Sequence, residues 1–337
     1  ADGGDVGAAR GAGGAGGSGD RLDLADRSAD PRPRFDQPCP QGGYLWWYVD
    51  AVSDDGRHAL TFIAFVGSVF SPYYHWSGRR EPENHICLNV ALYGAPSRWA
   101  MTERGRNALE RAPDLFGIGP SALRWENDGL TIDVCERAVP HLTKLRGRVR
   151  IMPQTLNARG FALDDAQRHI WRPIAPTARV EAEFSSPAMR WSGQAYIDTN
   201  FGSEPLEAGF ERWDWSRWTL DSGRGAILYD VERRQGGRRS LALRFGHDGD
   251  IEELEPPARA PLPGTLWRVK RELQSDDPGA VREVRRLEDA PFYARAEMAS
   301  RLFGEAAHGV HETVDGDRFA SSWVKFLLPW RMPRVLE

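Results

Sequence analysis

The 337-residue sequence is poor in lysine, in cysteine and in long apolar runs. Of its 44 basic residues only Lys144, Lys270 and Lys325 are lysine, and the rest are arginine. High genomic GC content accounts for that bias without invoking a function. Cys39, Cys87 and Cys135 are widely spaced and form no C-x-x-C pair. That excludes a dense disulfide scaffold and a cysteine-only zinc site, and it reads as reduced thiols in a cytoplasmic protein. No stretch approaches the ~20 uninterrupted apolar residues of a membrane-spanning helix. Residues 1–34 hold no aromatic ring, and residues 1–20 carry 9 of the 35 glycines. Such a segment buries too little surface to order itself, so a disordered tail is expected there. It also lacks the apolar core of a secretory signal. A net charge of −4 argues against a general grip on nucleic acid. Neither βαβ alternation nor a Gly-rich phosphate loop is present, which disfavours Rossmann and P-loop enzymes.

What is plentiful is tryptophan. Thirteen Trp outnumber 8 Tyr and 5 Met. At 41% hydrophobic residues the chain can bury a core, and its length suggests about two domains. From Phe35 onward the pattern is mostly β. Tyr44–Val52 and Leu60–Phe70 flank a turn at Ser53–Arg57. Leu123–Glu126 and Leu130–Val134 flank Asn127-Asp128-Gly129. Arg217–Leu220 and Ala226–Val231 flank Asp221–Arg224, and Ser240–Phe245 and Ile251–Leu254 flank His247–Asp250. Thr102–Ala112 reads as a short helix. Shifting the chain by 167 residues lays Trp46 on Trp213, Tyr48 on Trp215, Asp54 on Asp221, Gly56 on Gly223, Arg57 on Arg224 and Ala59 on Ala226. Either an internal duplication or convergent turn chemistry explains this. A duplication predicts two similar β-barrels or sandwiches joined near residue 205.

The segment Trp171–Trp218 holds five of the thirteen tryptophans: Trp171, Trp191, Trp213, Trp215 and Trp218. On a strand, Tyr196, Asp198 and Asn200 share one face. Trp191 then points the other way unless Gly193 makes a bulge. One acid among rings is the composition of a hydrophobic active site. The competing reading is a structural Asp, capping a turn or paired with Arg, beside tryptophans that fill cores.

Longer motifs decide between these. They are Trp171-Arg172-Pro173, Trp191-Ser192-Gly193, Tyr196-x-Asp198-x-Asn200-x-Gly202, Pro205-Leu206-Glu207 and Trp213-x-Trp215-Ser216-Arg217. Gly43–Gly56, Gly67–Tyr74, Pro82–Gly94, His311-Glu312, Asp317-Arg318-Phe319 and Leu328–Arg334 extend the pattern. Together, from about Pro38 to Arg334, the sequence resembles the carotenoid 1,2-hydratases (hydroxyneurosporene synthases) of purple photosynthetic bacteria. The resemblance implies a mainly β fold of two tandem lipocalin-like domains, 35–205 and 206–337, after the tail. It implies water addition to the terminal C1–C2 double bond of acyclic carotenes, without a cofactor. It places the acid/base on Asp198, with Tyr196 and Trp171 as companions. Trp191, Trp213, Trp215, Tyr74 and His85 are expected to line the substrate site.

The chemistry suits that placement. Protonating C2 requires an acid still protonated near neutral pH, and apolar surroundings raise a carboxyl's pKa. Aromatic faces steady the cation left at C1. The ionised Asp198 can then accept the proton of the attacking water. The alternatives are a lipocalin-like carotenoid- or lipid-binding protein and a related terpenoid isomerase or cyclase. A pure binder gains nothing from a buried acid. No metal is expected, since His308-x-x-His311-Glu312 lacks zinc-site spacing. The C-terminus, Trp323–Arg334, mixes rings, aliphatics and bases. It suits either a membrane surface or a last barrel strand with a packed tail. The expected partners are an acyclic carotenoid, water and the membrane periphery on the cytoplasmic side. Other enzymes of carotenoid synthesis are also compatible.

Overall fold

In the computed structural model, which describes residues 30–335, the β-branched and aromatic runs are strands. The chain opens with β1 (Tyr44–Ser53), β2 (Ala59–Val66), helix α1 (Pro72–Trp76), β3 (Ile86–Tyr93) and β4 (Arg98–Arg104). Six strands follow: β5 (Leu109–Ala112), β6 (Leu115–Ile118), β7 (Ser121–Glu126), β8 (Gly129–Ala138), β9 (Thr143–Pro153) and β10 (Phe161–Ala162). Two long strands, β11 (His169–Ser186) and β12 (Ala188–Gly202), run back through the middle. After helix α2 (Leu206–Gly209) come β13 (Phe210–Leu220), β14 (Gly225–Arg233), β15 (Arg238–Phe245) and β16 (Ile251–Glu253). The strands β17 (Arg259–Pro261), β18 (Glu272–Gln274), β19 (Arg282–Asp289), β20 (Tyr293–Leu302) and β21 (Glu305–Asp315) precede helices α3 (Gly316–Ala320) and α4 (Ser322–Arg331).

Among the described residues these make a 12-stranded sheet, ordered β4-β3-β2-β1-β12-β11-β9-β8-β7-β6-β5 with β10 beside β11. A 7-stranded sheet follows, ordered β16-β15-β14-β13-β21-β20-β19, and β17 pairs with β18 alone. The run β4-β3-β2-β1-β12-β11 and the run β16-β15-β14-β13-β21-β20 share one connectivity. Residues matched by the 167-residue shift also meet in space. Trp46 stacks on Trp213 at 6.0 Å, Tyr48 meets Trp215 edge-on at 5.4 Å, and Arg217 Nε donates to Asp50 at 2.7 Å. Each residue near a two-fold axis touches its own counterpart, so β1 and β13 cross at a pseudo-dyad. The second hairpin turn is one residue shorter, and the match therefore slips beyond Gly56 and Gly223. Ala59 pairs with Val52, whereas Thr219 pairs with Gly225, so Ala59 corresponds to Gly225 rather than Ala226.

One apolar core comes from the 12-stranded sheet alone, and a second, rich in rings, joins the two sheets. The expected strand Leu60–Phe70 stops at Val66, where Gly67 turns the chain at φ +62°. Thr102–Ala112 is not a helix. Its first part continues β4 against β3, a 3-10 turn spans Arg106–Ala108, and β5 follows, because ladder pairing overrides a weak local helix preference. The C-terminal segment is the helix α4 rather than a last strand. Of the expected tail, residues 1–34, positions 1–29 lie outside the described residues, and in the remainder Asp30 and Arg32 form a surface pair at 2.6 Å.

Candidate active site

The strand β12 aligns with β1 without a break from Gly193 to Gly202, so its residues alternate strictly. Tyr196, Asp198 and Asn200 therefore share a face, and all three are buried. Trp171 of β11 stands across the ladder from Asn200 and turns to the same side. Its indole Nε1 donates to Asp198 Oδ2 at 3.0 Å, and the Tyr196 hydroxyl donates to the same oxygen at 2.8 Å. Among the described residues Oδ1 receives only a long contact from Asn200 Nδ2 at 3.5 Å. An oxygen that accepts two donors has no room for its own proton, so the acid proton belongs on Oδ1. Burial pushes the Asp198 pKa up to about 7, and the donors Tyr196, Trp171 and Asn200 pull the other way. The nearby Asp50 carboxylate adds a further upward push.

Asp198 lines a cavity of about 460 Å³ between the two sheets, with Trp46, Tyr48, Phe65, Trp213, Trp215 and Tyr229 around it. That size suits one end of a long hydrocarbon. Tyr229 donates from its hydroxyl to Asn200 Oδ1 at 3.2 Å. On the facing sheet Glu312 also reaches the cavity. Its Oε1 accepts from the Tyr48 hydroxyl at 2.6 Å and pairs with the buried Arg295 guanidinium, which also holds Asp50. Towards the mouth stand Trp267 and, from α4, Leu327, Leu328 and Trp330.

The structure brings Trp171, Tyr196, Asp198, Trp213 and Trp215 together, with Trp171 and Tyr196 behind the acid and the other two rings in the cavity wall. It places the remaining three expected lining residues elsewhere. Trp191 lies on the opposite face of β12, packs on the core of the larger sheet and stacks near His58 at 6.3 Å. The Tyr74 hydroxyl donates to the Gly43 carbonyl at 2.9 Å, and its ring lies 5.0 Å from that of His85. The His85 Nδ1 meets Glu103 at 2.7 Å and Arg334 at 3.1 Å. Backbone and ion-pair partners thus occupy both residues away from the cavity. Tyr48, Tyr229, Arg295 and Glu312 were not among the residues expected at the site, although Tyr48 stood in the repeat and Glu312 in the motif weighed for a metal. His311 turns away from the cavity, towards the Glu272 carbonyl at 2.8 Å, while its neighbour Glu312 faces in. Among the described residues no group of three or more His, Cys, Asp or Glu could hold a metal ion.

A family model described as carotenoid hydratase CrtC matches residues 62–337. The chain belongs to the carotenoid hydratase family. The acyclic carotenoid 1,2-hydratase of Thiocapsa roseopersicina is 55% identical over 308 residues, covering 90% of this chain and 76% of that protein. The one from Rubrivivax gelatinosus is 53% identical over 309 residues, with 90% and 76% covered. The fold is also that of a crystal structure of a putative AttH from Nitrosomonas europaea. That match has a TM-score of 0.55 at 15% identity and covers 84% of this chain and 99% of that one. The mainly β, lipocalin-like architecture expected from the sequence is therefore the observed one. In this carotenoid hydratase, Asp198 sits with a raised pKa in a ring-lined cavity between the two sheets.

Proposed function

We propose that this hydratase adds water across the terminal C1–C2 double bond of acyclic carotenes such as neurosporene and lycopene. The observation that carries the reading is the buried Asp198 carboxyl on an aromatic cavity, its pKa raised to about 7 and its Oδ1 holding only the 3.5 Å contact from Asn200 among the described residues. The carotene end enters between the sheets. Oδ1 gives its proton to C2, and the π electrons of the double bond form the new C–H bond. The tertiary cation at C1 lies among Tyr48, Trp213 and Trp215, whose faces are worth roughly 0.5–2 kcal/mol per good contact. Water adds at C1 and loses a proton, which leaves the 1-hydroxy product. Tyr196 and Trp171 donate to the Asp198 anion as it forms, which favours proton release at the moment of transfer.

The cavity opens beside exposed rings. Trp323, Phe326 and Trp330 of α4 are 46%, 69% and 75% exposed, and Trp267 stacks on Trp323 at 6.2 Å. Arg331 follows Trp330 directly in sequence, and Arg318 lies five residues before Trp323. Aromatic rings with flanking bases suit the interfacial zone of a bilayer. In this reading the mouth rests on the membrane, and the carotene passes directly from lipid to cavity. Among the described residues no helix is long and apolar enough to cross a membrane.

The test is to incubate purified protein with lycopene or neurosporene in liposomes and to weigh the products. Carotenoids heavier by one or two waters are expected. Tight pigment binding without product from any acyclic carotene would favour a binding protein and overturn the reading.

A further inference from the structure

Alkene hydration needs a base as well as an acid, because the water that attacks C1 must lose a proton. The pseudo-dyad supplies a second carboxyl. Tyr48 stands across the ladder from Asp198, and Trp215 stands across the ladder from Glu312. Since Tyr48 and Trp215 are counterparts, Glu312 holds in the second sheet the place of Asp198 in the first.

Their surroundings are opposite. Among the described residues Asp198 has no cation for a hydrogen-bond partner, and burial raises its pKa to about 7. Glu312 is paired with Arg295, itself 0% exposed, and takes the Tyr48 hydroxyl on the same oxygen. No hydrogen bond among the described residues reaches Glu312 Oε2, although the residue lines the cavity and is 8% exposed. Each carboxyl thus has one anchored oxygen and one left for chemistry. Trp215 carries a buried indole N–H with no partner among the described residues. A water that accepts from that N–H and donates to Oε2 keeps a lone pair for C1. The other wall carboxyls are held by the protein: Glu288 is tied to Tyr93 at 3.2 Å and to Arg331 of α4 at 3.4 Å, and Asp289 Oδ2 accepts from the Leu266 N–H at 2.7 Å and pairs with Arg286 at 3.3 Å.

We propose that Glu312 is the base that takes the proton of the attacking water, so that acid and base act from facing sheets. This rests on the hydratase reading of the same cavity. The balance closes without a further reactant. Asp198 loses its proton to C2, the water oxygen bonds to C1, and a water proton passes to Glu312. Glu312 returns the proton to Asp198 through water once the product leaves. Two carboxyls in environments that favour opposite protonation states are the usual sign of such a division of labour.

The assay is carotene hydration by Glu312→Ala with and without azide, an anion that needs no base to attack a cation. Wild-type protein should hydrate lycopene, and failure there would count against the hydratase reading rather than this assignment. Glu312→Ala should lose at least about 100-fold in kcat with lycopene binding retained, the usual scale for removing a general base. Azide should then add at C1, with the proton still supplied by Asp198, giving a carotenoid heavier by one hydrogen azide. Glu312→Gln keeps an acceptor for Tyr48 and Arg295, so it should fold, bind lycopene and lose kcat to the same extent. Hydration by Glu312→Gln within about threefold of wild type would overturn the proposal. So would a Glu312→Ala protein that binds lycopene but adds neither water nor azide.

Discussion

Burial gives Asp198 its chemistry. Its pKa of about 7 has desolvation as the main cause, so the acid form that donates the proton disappears as pH rises through that value. The rate of hydration should therefore fall about tenfold per pH unit on the alkaline side, as a pH profile of kcat will register. Removing a donor to the anion shifts that limb. Tyr196→Phe loses the 2.8 Å bond that favours the charged form, so its alkaline limb should move to higher pH. An unmoved limb would mean the hydroxyl does not act on the acid. The same shift links to stability. In the unfolded chain the carboxyl titrates near ~3.9, and in the folded chain near 7. Its stabilising contribution is complete below the unfolded value and is lost as pH rises through the folded one, on the order of 4 kcal/mol. Asp198→Asn does not titrate, so urea unfolding should show it gaining on wild type between about pH 4 and pH 8. Equal differences at both ends would count against a buried neutral acid. At this scale the sequence was legible where residues are two apart on one strand, as with Tyr196 and Asp198. It misled where nearness along the chain stood in for nearness in space. Trp191 is closer to Asp198 in sequence than Trp213 is, yet it lies on the other face of β12.

Between the two sheets, β1 and β13 are held by charges as well as rings. Arg295 bridges Asp50 of β1 and Glu312 of β21 with no exposed surface of its own. Arg295→Met would leave two buried carboxylates without that partner and should cost roughly 3–5 kcal/mol of stability, read from denaturant unfolding. A loss below about 1 kcal/mol would show that Arg217 alone suffices for Asp50. The hairpins were legible, because Gly and Asp at turns and alternating rings mark them locally, as at Gly56 and Gly223 with φ of +67° and +80°. The repeat was visible too, but only over β1 and β13. It could not reveal that Glu312 matches Asp198. The connection from the β1–β2 hairpin to β12 is much longer than that from the β13–β14 hairpin to β21, so no single shift aligns both pairs. Thr102–Ala112 was misread because β4 is fixed by its neighbour β3 and not by its own composition.

For the whole molecule, the excess of tryptophan divides into three uses. Trp47 and Trp218 fill cores, Trp46, Trp213 and Trp215 wall the cavity, and Trp323 and Trp330 face outward on α4. Burying one such ring in lipid is worth about 1.5–3 kcal/mol. Trp323→Ala with Phe326→Ala, two exposed rings outside the cavity wall, should therefore weaken binding to liposomes at least tenfold, measured by cosedimentation, with detergent-phase hydration kept. Unchanged partition would place the lipid contact elsewhere. Cutting the chain after Lys325 is a poorer probe, because it also removes the buried Met332 and the Arg334 that pairs with Glu103. The most direct test of the mechanism is Asp198→Asn assayed with lycopene in liposomes. The variant keeps an acceptor for Tyr196 and Trp171, so it should fold and bind the pigment while forming no hydrated product. Hydrated lycopene at a rate near that of the wild type would contradict Asp198 as the proton donor.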